Sequence, residues 1–244
     1  MRISVLSIFP EMFESHKASP VLKRAMEKGI VAFDKVDVKE FAGGSFRHFD
    51  DSPCGGGPGM IMRITPVMKA LDSVRTEKMH TILLSPKGKT YNQKRARELA
   101  EMEHICLICG HYEGVDARVE DHVDEQISIG DFILTGGEFA ASVIVDSIIR
   151  LLPGALRDSA TVDESYENGL LEYPQYTKPT DYNGEKVPEI LLSGNHGAID
   201  KWRKVQSLVL TRKHRPDLFA AYTMSEEEKK WLDEYDRENG NNGV

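Results

Sequence analysis

Residues 80–114 read HTILLSPKGKTYNQKRARELAEMEHICLICGHYEG, and this stretch decides the fold class. His80–Leu84 is a short apolar strand, and Ser85-Pro86-Lys87-Gly88-Lys89 follows it as a loop. Asn92–Glu101 has the spacing of a helix. His104–Cys109 is apolar again and ends at a second glycine loop, Gly110-His111-Tyr112-Glu113-Gly114. Strand, loop, helix, strand, loop is the signature of a mostly parallel α/β sheet, because parallel neighbours need a crossover between them. In such sheets ligands bind at the carboxyl ends of the strands, where both loops sit.

The pattern extends in both directions. Residues 2–9 read as a buried strand stopped by Pro10, 20–28 as a helix between Pro20 and Gly29, and 30–41 as an alternating strand. The segment 42–60 is rich in Gly, Asp and Pro and reads as loop. Pro66 to Arg75 reads as helix. Downstream, Val123–Ile129 is a further strand. It is followed by a third glycine loop, Ile129-Gly130-Asp131-Phe132-Ile133-Leu134-Thr135-Gly136-Gly137-Glu138, and by a long apolar helix over Phe139–Leu152. Residues 157–172 are polar and aperiodic, as a linker is. Beyond them, Ala198–Thr211 is amphipathic with Ile199, Trp202, Val205 and Leu208–Leu210 inward. Ser225–Tyr235 opens with a capping box, Ser225 with Glu228. The organisation expected is an α/β domain over 1–156, a linker over 157–172 and a small all-helical domain over 173–244.

The 244 residues carry a formal net charge of −8. An acidic balance argues against a nucleic-acid partner, because phosphate contacts need Lys and Arg. Where the charges sit matters more than their sum. Lys87, Lys89, Lys94, Arg95 and Arg97 share one window. Lys201, Arg203 and Lys204 share a second, and Arg212, Lys213, His214 and Arg215 a third. Taken singly, each reads as a solvated helix face. No apolar run reaches the roughly 18–20 residues of a membrane helix, and the opening residues are too strand-like for a signal peptide. A cytoplasmic location is the expectation. Cys54, Cys106 and Cys109 are too few for a disulfide framework. Cys106 and Cys109 match C-x-x-C, but side chains three apart on a strand point to opposite faces, which favours core packing over metal or redox chemistry.

A further loop, Asp50-Asp51-Ser52-Pro53-Cys54-Gly55-Gly56-Gly57-Pro58-Gly59-Met60, is unusually dense in glycine. It lacks the Gly-Lys-Ser/Thr of a phosphate loop and the spacing of a dinucleotide fingerprint, so a tight turn and a binding site stay open alternatives. No zinc signature or nucleophile elbow occurs, and no metal site is expected. The loops at the strand ends offer backbone N–H and C=O groups with a few side chains. Such a pocket suits a nucleoside with a charged tail.

In this order the loops resemble the bacterial tRNA (guanine-N1)-methyltransferase family of the SPOUT superfamily. The resemblance covers nearly the whole chain. It rests on Ile8-Phe9-Pro10-Glu11-Met12-Phe13, DDSPCGGGPGM, LLSPKGK, CGHYEGVDARV, DEQISIGDFILTGGE, DSIIRLLPG, LLEYPQYTKP, VPEILLSGNHGAIDKWR and KHRPDL. It implies a deep trefoil knot in the α/β domain, S-adenosylmethionine as cofactor, tRNA as substrate and a homodimer. In the family the active site lies between the N-terminal domain of one subunit and the linker and C-terminal domain of the other. The reaction implied is methylation of N1 of guanosine 37, just 3′ of the anticodon. Cofactor contacts are implied for Leu84, Ser85, Pro86, Gly88, Gly110, Tyr112, Glu113, Ile129, Gly130, Asp131, Phe132, Ile133, Leu134, Gly136 and Gly137. Substrate contacts are implied for Asp51, Gly56, Gly57, Gly59, Met60, Ser193, Asn195 and His196, with Lys201, Arg203, Arg212 and Arg215 on phosphates.

Two catalytic groups follow from the resemblance. Arg150 matches the active-site arginine of the long helix. The family's linker carries an Asp as base, and counting back from Gly169-Leu170-Leu171 that position holds Glu164, with Asp163 adjacent. A carboxylate at this place would remove the N1 proton, and a guanidinium would stabilise charge developing on O6. Two rival readings are an RNA-binding protein of the same fold without activity and a methyltransferase acting on a ribose 2′-OH. The intact loops and both catalytic groups favour base methylation.

Overall fold

The computed structural model describes residues 1–43, 48–157, 161 and 163–240. The chain divides into two compact units, Met1–Asp158 and Ser159–Val244.

The first unit runs β1 (Arg2–Ser7), α1 (Glu14–Lys17), α2 (Pro20–Glu27), β2 (Ala32–Asp37), β3 (Asp50–Asp51), β4 (Ile61–Met62), α3 (Ile64–Val74), β5 (Met79–Thr90), α4 (Gln93–Ala100), β6 (His104–Cys109), β7 (Glu125–Ser128) and α5 (Glu138–Ile149). Five strands form one sheet in the order β2-β1-β6-β5-β7, and every neighbouring pair is parallel. A parallel sheet covered on both faces is apolar throughout its central strands. β6 obeys this, with all of HICLIC buried. Alternate β6 side chains feed two cores. Ile105, Leu107 and Cys109 pack with Ala141, Ile144, Val145 and Ile148 of α5. Cys106 and Ile108 pack with Val67, Ala70 and Leu71 of α3. Cys106 and Cys109 therefore do lie on opposite faces, as free thiols. Burial pushes the Cys106 thiol up to about 12 and the Cys109 thiol well above its ordinary range.

Three local expectations change. Ser85–Lys89 is not a free loop, because β5 continues to Thr90 with a register shift between Leu84 and Lys89. The cause is a close approach: a Cβ on Gly88 would lie 2.4 Å from the Ile127 backbone nitrogen. Residues 30–41 stop being strand at Asp37, whose side chain accepts from the Lys39 N–H at 2.9 Å and starts a 3-10 turn over Val38–Phe41. The 42–60 segment is not wholly loop, since β3 pairs with β4 as a short antiparallel ladder.

The second unit contains β8 (Asp181–Tyr182), β9 (Glu185–Lys186), α6 (His196–His214), α7 (Pro216–Ala221) and α8 (Glu226–Glu238). It is not all-helical, because β8 and β9 form a hairpin. Asn183 and Gly184 turn it, both at positive φ (51° and 91°) as a two-residue hairpin loop demands. The core gathers Leu170, Leu208 and Leu232 with Val209, Phe219, Tyr222 and Met224. Residues near Leu170 belong to this packing, and the Leu171 N–H donates to Thr211 Oγ1 at 2.8 Å. The Ser225–Glu228 capping box is formed. No helix among the described residues is long and apolar enough to cross a membrane.

Candidate active site

A cavity of about 470 Å³ opens at the carboxyl ends of β6 and β7 and beside the irregular stretch of β5. Three segments wall it, this stretch of β5 and the loops after β6 and β7. Leu84, Ser85 and Pro86 come from the first, and Gly110, Tyr112 and Glu113 from the second. The third supplies Ile129, Gly130, Phe132, Ile133, Leu134, Gly136 and Gly137. Two expected residues are absent from the wall. Asp131 is exposed outside it, and Gly88 serves the β5–β7 approach instead.

The loops hold one another. Gly137 N–H donates to the Gly110 carbonyl at 2.8 Å, and His111 bridges to Gly136. A Cβ on Gly137 would lie 2.8 Å from Cys109 Cα, so only glycine lets this loop lie flat on the end of β6. A Cβ on Gly110 would meet Val115 Cγ1 at an ordinary 3.6 Å. The two glycines thus differ: one is required by the fold, while the other leaves room on the protein side. Phe132, Ile133 and Leu134 are 54%, 81% and 39% exposed. Clustered apolar exposure of this kind marks a ligand or partner surface. The acidic side chains in the wall are Glu113 and Glu120. A hydrogen bond from Lys87 at 2.6 Å holds Glu120 below the usual carboxylate range.

The glycine-dense loop docks against the second loop. Glu113 N–H donates to the Met60 carbonyl at 3.1 Å, and Met62 N–H to the Gly114 carbonyl at 2.9 Å. Gly56, Gly57 and Gly59 all have positive φ. Asp51 is exposed, and its carboxylate accepts from the Ser52 N–H at 2.9 Å. None of Asp51, Gly56, Gly57, Gly59 and Met60 lines the 470 Å³ cavity.

In the second unit a cavity of about 330 Å³ brings Asp163 and Glu164 together with Tyr173, Arg203 and Lys204. Asp163 is exposed and Glu164 half-buried. The Arg203 guanidinium lies over the Tyr173 ring at 4.9 Å and faces Asp200 at 3.6 Å. Among the described residues no group of three or more His, Cys, Asp or Glu is arranged to hold a metal ion.

A family model described as tRNA (Guanine-1)-methyltransferase TrmD matches residues 1–221. The tRNA (guanine-N(1)-)-methyltransferase of Anoxybacillus flavithermus is 48% identical over 240 residues, covering 96% of this chain and 98% of its own. That of Geobacillus kaustophilus is 49% identical over 242 residues, covering 98% and 99%. That of Clostridium botulinum strain Langeland is 49% identical over 239 residues, covering 97% and 99%. The chain belongs to the tRNA (guanine-1)-methyltransferase family.

Against the site expected of that family, several side chains have other partners. Arg212 forms a bidentate pair with Asp236 at 2.8 and 2.7 Å, and Arg215 one with Asp217 at 2.8 and 2.6 Å. Lys201 reaches Glu234 at 2.7 Å. These three charges are neutralised within the unit. Ser193 and Asn195 start α6: Asn195 accepts from the Ala198 N–H at 3.2 Å, and Ser193 Oγ from the Asn195 N–H at 3.1 Å. His196, the first residue of α6, is exposed. Arg150 caps the far end of α5 and does not line the 470 Å³ cavity. Ala140 is the last α5 residue that does. At 1.5 Å per residue, Arg150 lies roughly 15 Å further along the axis.

The sequence reading missed a buried cluster beside the cavity. Glu138, 2% exposed, accepts from Ser7 Oγ at 2.6 Å and faces His111 Nδ1 at 3.7 Å. Its signal was an acidic residue opening an otherwise apolar helix. That reads equally as a favourable charge at a helix N-terminus, and only packing reveals the burial.

Proposed function

We propose that this chain transfers a methyl group from S-adenosylmethionine to N1 of guanosine 37, immediately 3′ of the anticodon in tRNA. One observation carries the reading: a stretch of β5 and two glycine loops close around a single cavity in a chain whose near-full-length relatives are named tRNA (guanine-N(1)-)-methyltransferase. The cavity volume falls in the range of about 300–1,000 Å³ usual for small-ligand sites. Its wall fits the cofactor. Backbone N–H and C=O groups suit an uncharged base, Leu84, Ile129 and Leu134 suit its faces, and the Glu113 and Glu120 carboxylates suit a cation. S-adenosylmethionine supplies a methyl group on a sulfonium, so the protein's work is chiefly orientation.

Guanine N1 is a poor nucleophile until its proton leaves. Glu164 takes that proton, with Asp163 as the adjacent alternative. Arg150 stabilises the charge that develops on O6. Arg203 and Lys204 hold phosphate near the Glu164 cavity. Arg212, Lys201 and Arg215 are weaker candidates for phosphate, because each must first leave a hydrogen-bonded carboxylate, whereas Arg203 and Lys204 stand 3.6 and 3.4 Å from theirs.

The finer fold reading is a trefoil knot in the first unit and a tRNA-binding C-terminal unit. The Gly137–Gly110 hydrogen bond supports the knot, since it carries the chain after β7 back across the loop after β6. A homodimer is supported by two features. Met12, Phe139 and Val143 are exposed apolar side chains on the first unit, and beside them His16 Nε2 and Ser19 Oγ are buried atoms without a hydrogen-bond partner among the described residues. The second feature is Arg150, which stands too far along α5 to serve the cavity of its own subunit. Mixing Gly137→Val with Arg150→Ala subunits should then restore activity in heterodimers, because one cavity keeps both an intact wall and a partner arginine. Absence of recovery in verified heterodimers would count against shared sites.

The deciding experiment incubates the chain with tRNA and methyl-labelled cofactor and maps the modified nucleoside by mass spectrometry. N1-methylguanosine at position 37 is expected. A 2′-O-methyl nucleoside, or no transfer at all, overturns the proposal.

A further inference from the structure

Glu138 is a carboxylate in the core, at the first position of α5. One oxygen accepts from Ser7 Oγ at 2.6 Å, and the same hydroxyl oxygen accepts from the Phe9 N–H at 2.8 Å. The other oxygen faces His111 Nδ1 at 3.7 Å. That nitrogen is buried and has no hydrogen-bond partner among the described residues. Buried charge is costly unless a compensating group stands beside it. Here the imidazole is that group. Gly136 makes room for the approach, since a Cβ there would lie 2.3 Å from both Glu138 Oε2 and His111 Nδ1.

The imidazole also carries the cavity wall. Its ring meets Tyr112 edge-on at 4.9 Å and 90°, and Phe9 at 4.9 Å and 65°. Tyr112 sits at φ 58°, a left-handed conformation that is rare for a bulky residue. Such backbone persists only where its surroundings over-determine it. Tyr112 and Glu113 face the cavity, and His111, the residue before them, is the wall residue tied to the core.

We propose that Glu138 and His111 form a positioning pair, in which Nδ1–H of His111 is directed at the Glu138 carboxylate and the ring holds Tyr112 and Glu113 in the shape the cofactor requires. A carboxylate commonly fixes the tautomer and orientation of an imidazole in this way. Ser7 anchors the carboxylate to the end of β1, so the pair ties that strand, the loop after β6 and the start of α5 into one device. This inference rests on the reading that the cavity takes S-adenosylmethionine.

The test titrates S-adenosylmethionine calorimetrically into the full chain and follows steady-state methyl transfer. The variants are Glu138→Gln, His111→Phe, the double variant and His111→Asn. Glu138→Gln keeps an acceptor for Ser7 but loses the charge. His111→Phe keeps a ring and loses the donor, whereas His111→Asn keeps a donor near Nδ1. A misplacement of about 1 Å can cost on the order of a hundredfold. Glu138→Gln and His111→Phe should each weaken cofactor binding roughly tenfold or more and raise its KM, with kcat and the KM for tRNA little changed. The double variant should lose no more than the worse single, because the two residues act as a unit. His111→Asn should bind more tightly than His111→Phe. If Glu138→Gln does not fold, the two His111 variants carry the test through this order of affinity. Wild-type affinity in folded His111→Phe, or additive losses in the double variant, overturns the pairing alone. A wild-type chain that does not bind the cofactor overturns the proposed function and this inference with it.

Discussion

The cavity of the first unit is walled largely by backbone and apolar side chains, with the Glu113 and Glu120 carboxylates among them, whereas that of the second unit brings together Asp163, Glu164, Arg203 and Lys204. The first holds its shape through close approaches such as Gly137 on Cys109. The second sets the Asp163 and Glu164 carboxylates near Arg203 and Lys204 of α6. A site of the first kind is set mainly by close packing, so it suits recognition of a ligand's shape. One of the second kind is poised for proton transfer and for phosphate, where charge decides. Steric changes in the loops should therefore damage the first cavity, and an isosteric charge change at Glu164 the second.

The largest effect expected is at Glu164. Removing a general base costs about 10²–10⁴-fold in rate. Glu164→Gln should lose turnover while cofactor affinity measured by calorimetry stays at the wild-type value, and Asp163→Asn should lose little. If Asp163→Asn is the inactive variant, the base is Asp163. A loss of cofactor affinity in Glu164→Gln would break the division between the cavities.

Glycine substitutions come next. Gly137→Val should reduce cofactor binding on the order of a hundredfold, because its side chain collides with Cys109 backbone. Gly110→Ala should unfold at the wild-type temperature, since 3.6 Å to Val115 is ordinary contact. Any binding it loses then reports the cofactor itself. Equal melting temperatures for Gly137→Val and Gly110→Ala would contradict the distinction.

Arg203 and Arg212 separate binding from stability. Arg203→Ala should weaken tRNA binding and lower its salt slope by about one unit. Arg212→Ala should cost about 1–2 kcal/mol of stability with a smaller effect on tRNA. Its hydrogen bond and charge hold Asp236 below the ordinary aspartate value of 3.8. A carboxyl whose folded pKa is lowered stabilises fully above its unfolded value and loses that contribution as pH falls through the folded one. The stability gap between wild type and Arg212→Ala, read from denaturant midpoints, should accordingly be constant near neutrality and shrink below about pH 4.

The smallest effect is chemical. Cys54 is exposed, while Cys106 and Cys109 are buried with raised pKa values. Alkylation of the native chain near neutral pH should mark Cys54 and spare Cys106 and Cys109. Rapid labelling of Cys109 would mean that the end of β6 opens.

Most of the sheet was legible. The apolar His104–Cys109, the glycines that follow β6 and β7 and the apolar Phe139–Leu152 gave strand, loop and helix in the right order. Five parallel strands are what a repeated strand–helix alternation builds. The Asn183-Gly184 hairpin was missed although its turn signal is plain, because strands of two residues leave no periodicity to detect. In the candidate site, the loop residues were legible from glycine spacing and family pattern together. Charge clusters were not, since Lys201, Arg212 and Arg215 look alike in sequence whether they face phosphate or an acid of their own unit.

By itself the sequence determined the longer strands and helices and the glycine loops after β6 and β7, because side-chain periodicity and backbone freedom act within a few residues. Tertiary structure alone decided the shift of β5 at Gly88, the pairing of Arg212 with Asp236 across 24 positions, and the burial of Glu138 between Ser7 and His111. Each depends on which distant residue arrives alongside. Desolvation and charge pairing act only over a few ångströms of space, whatever the separation along the chain.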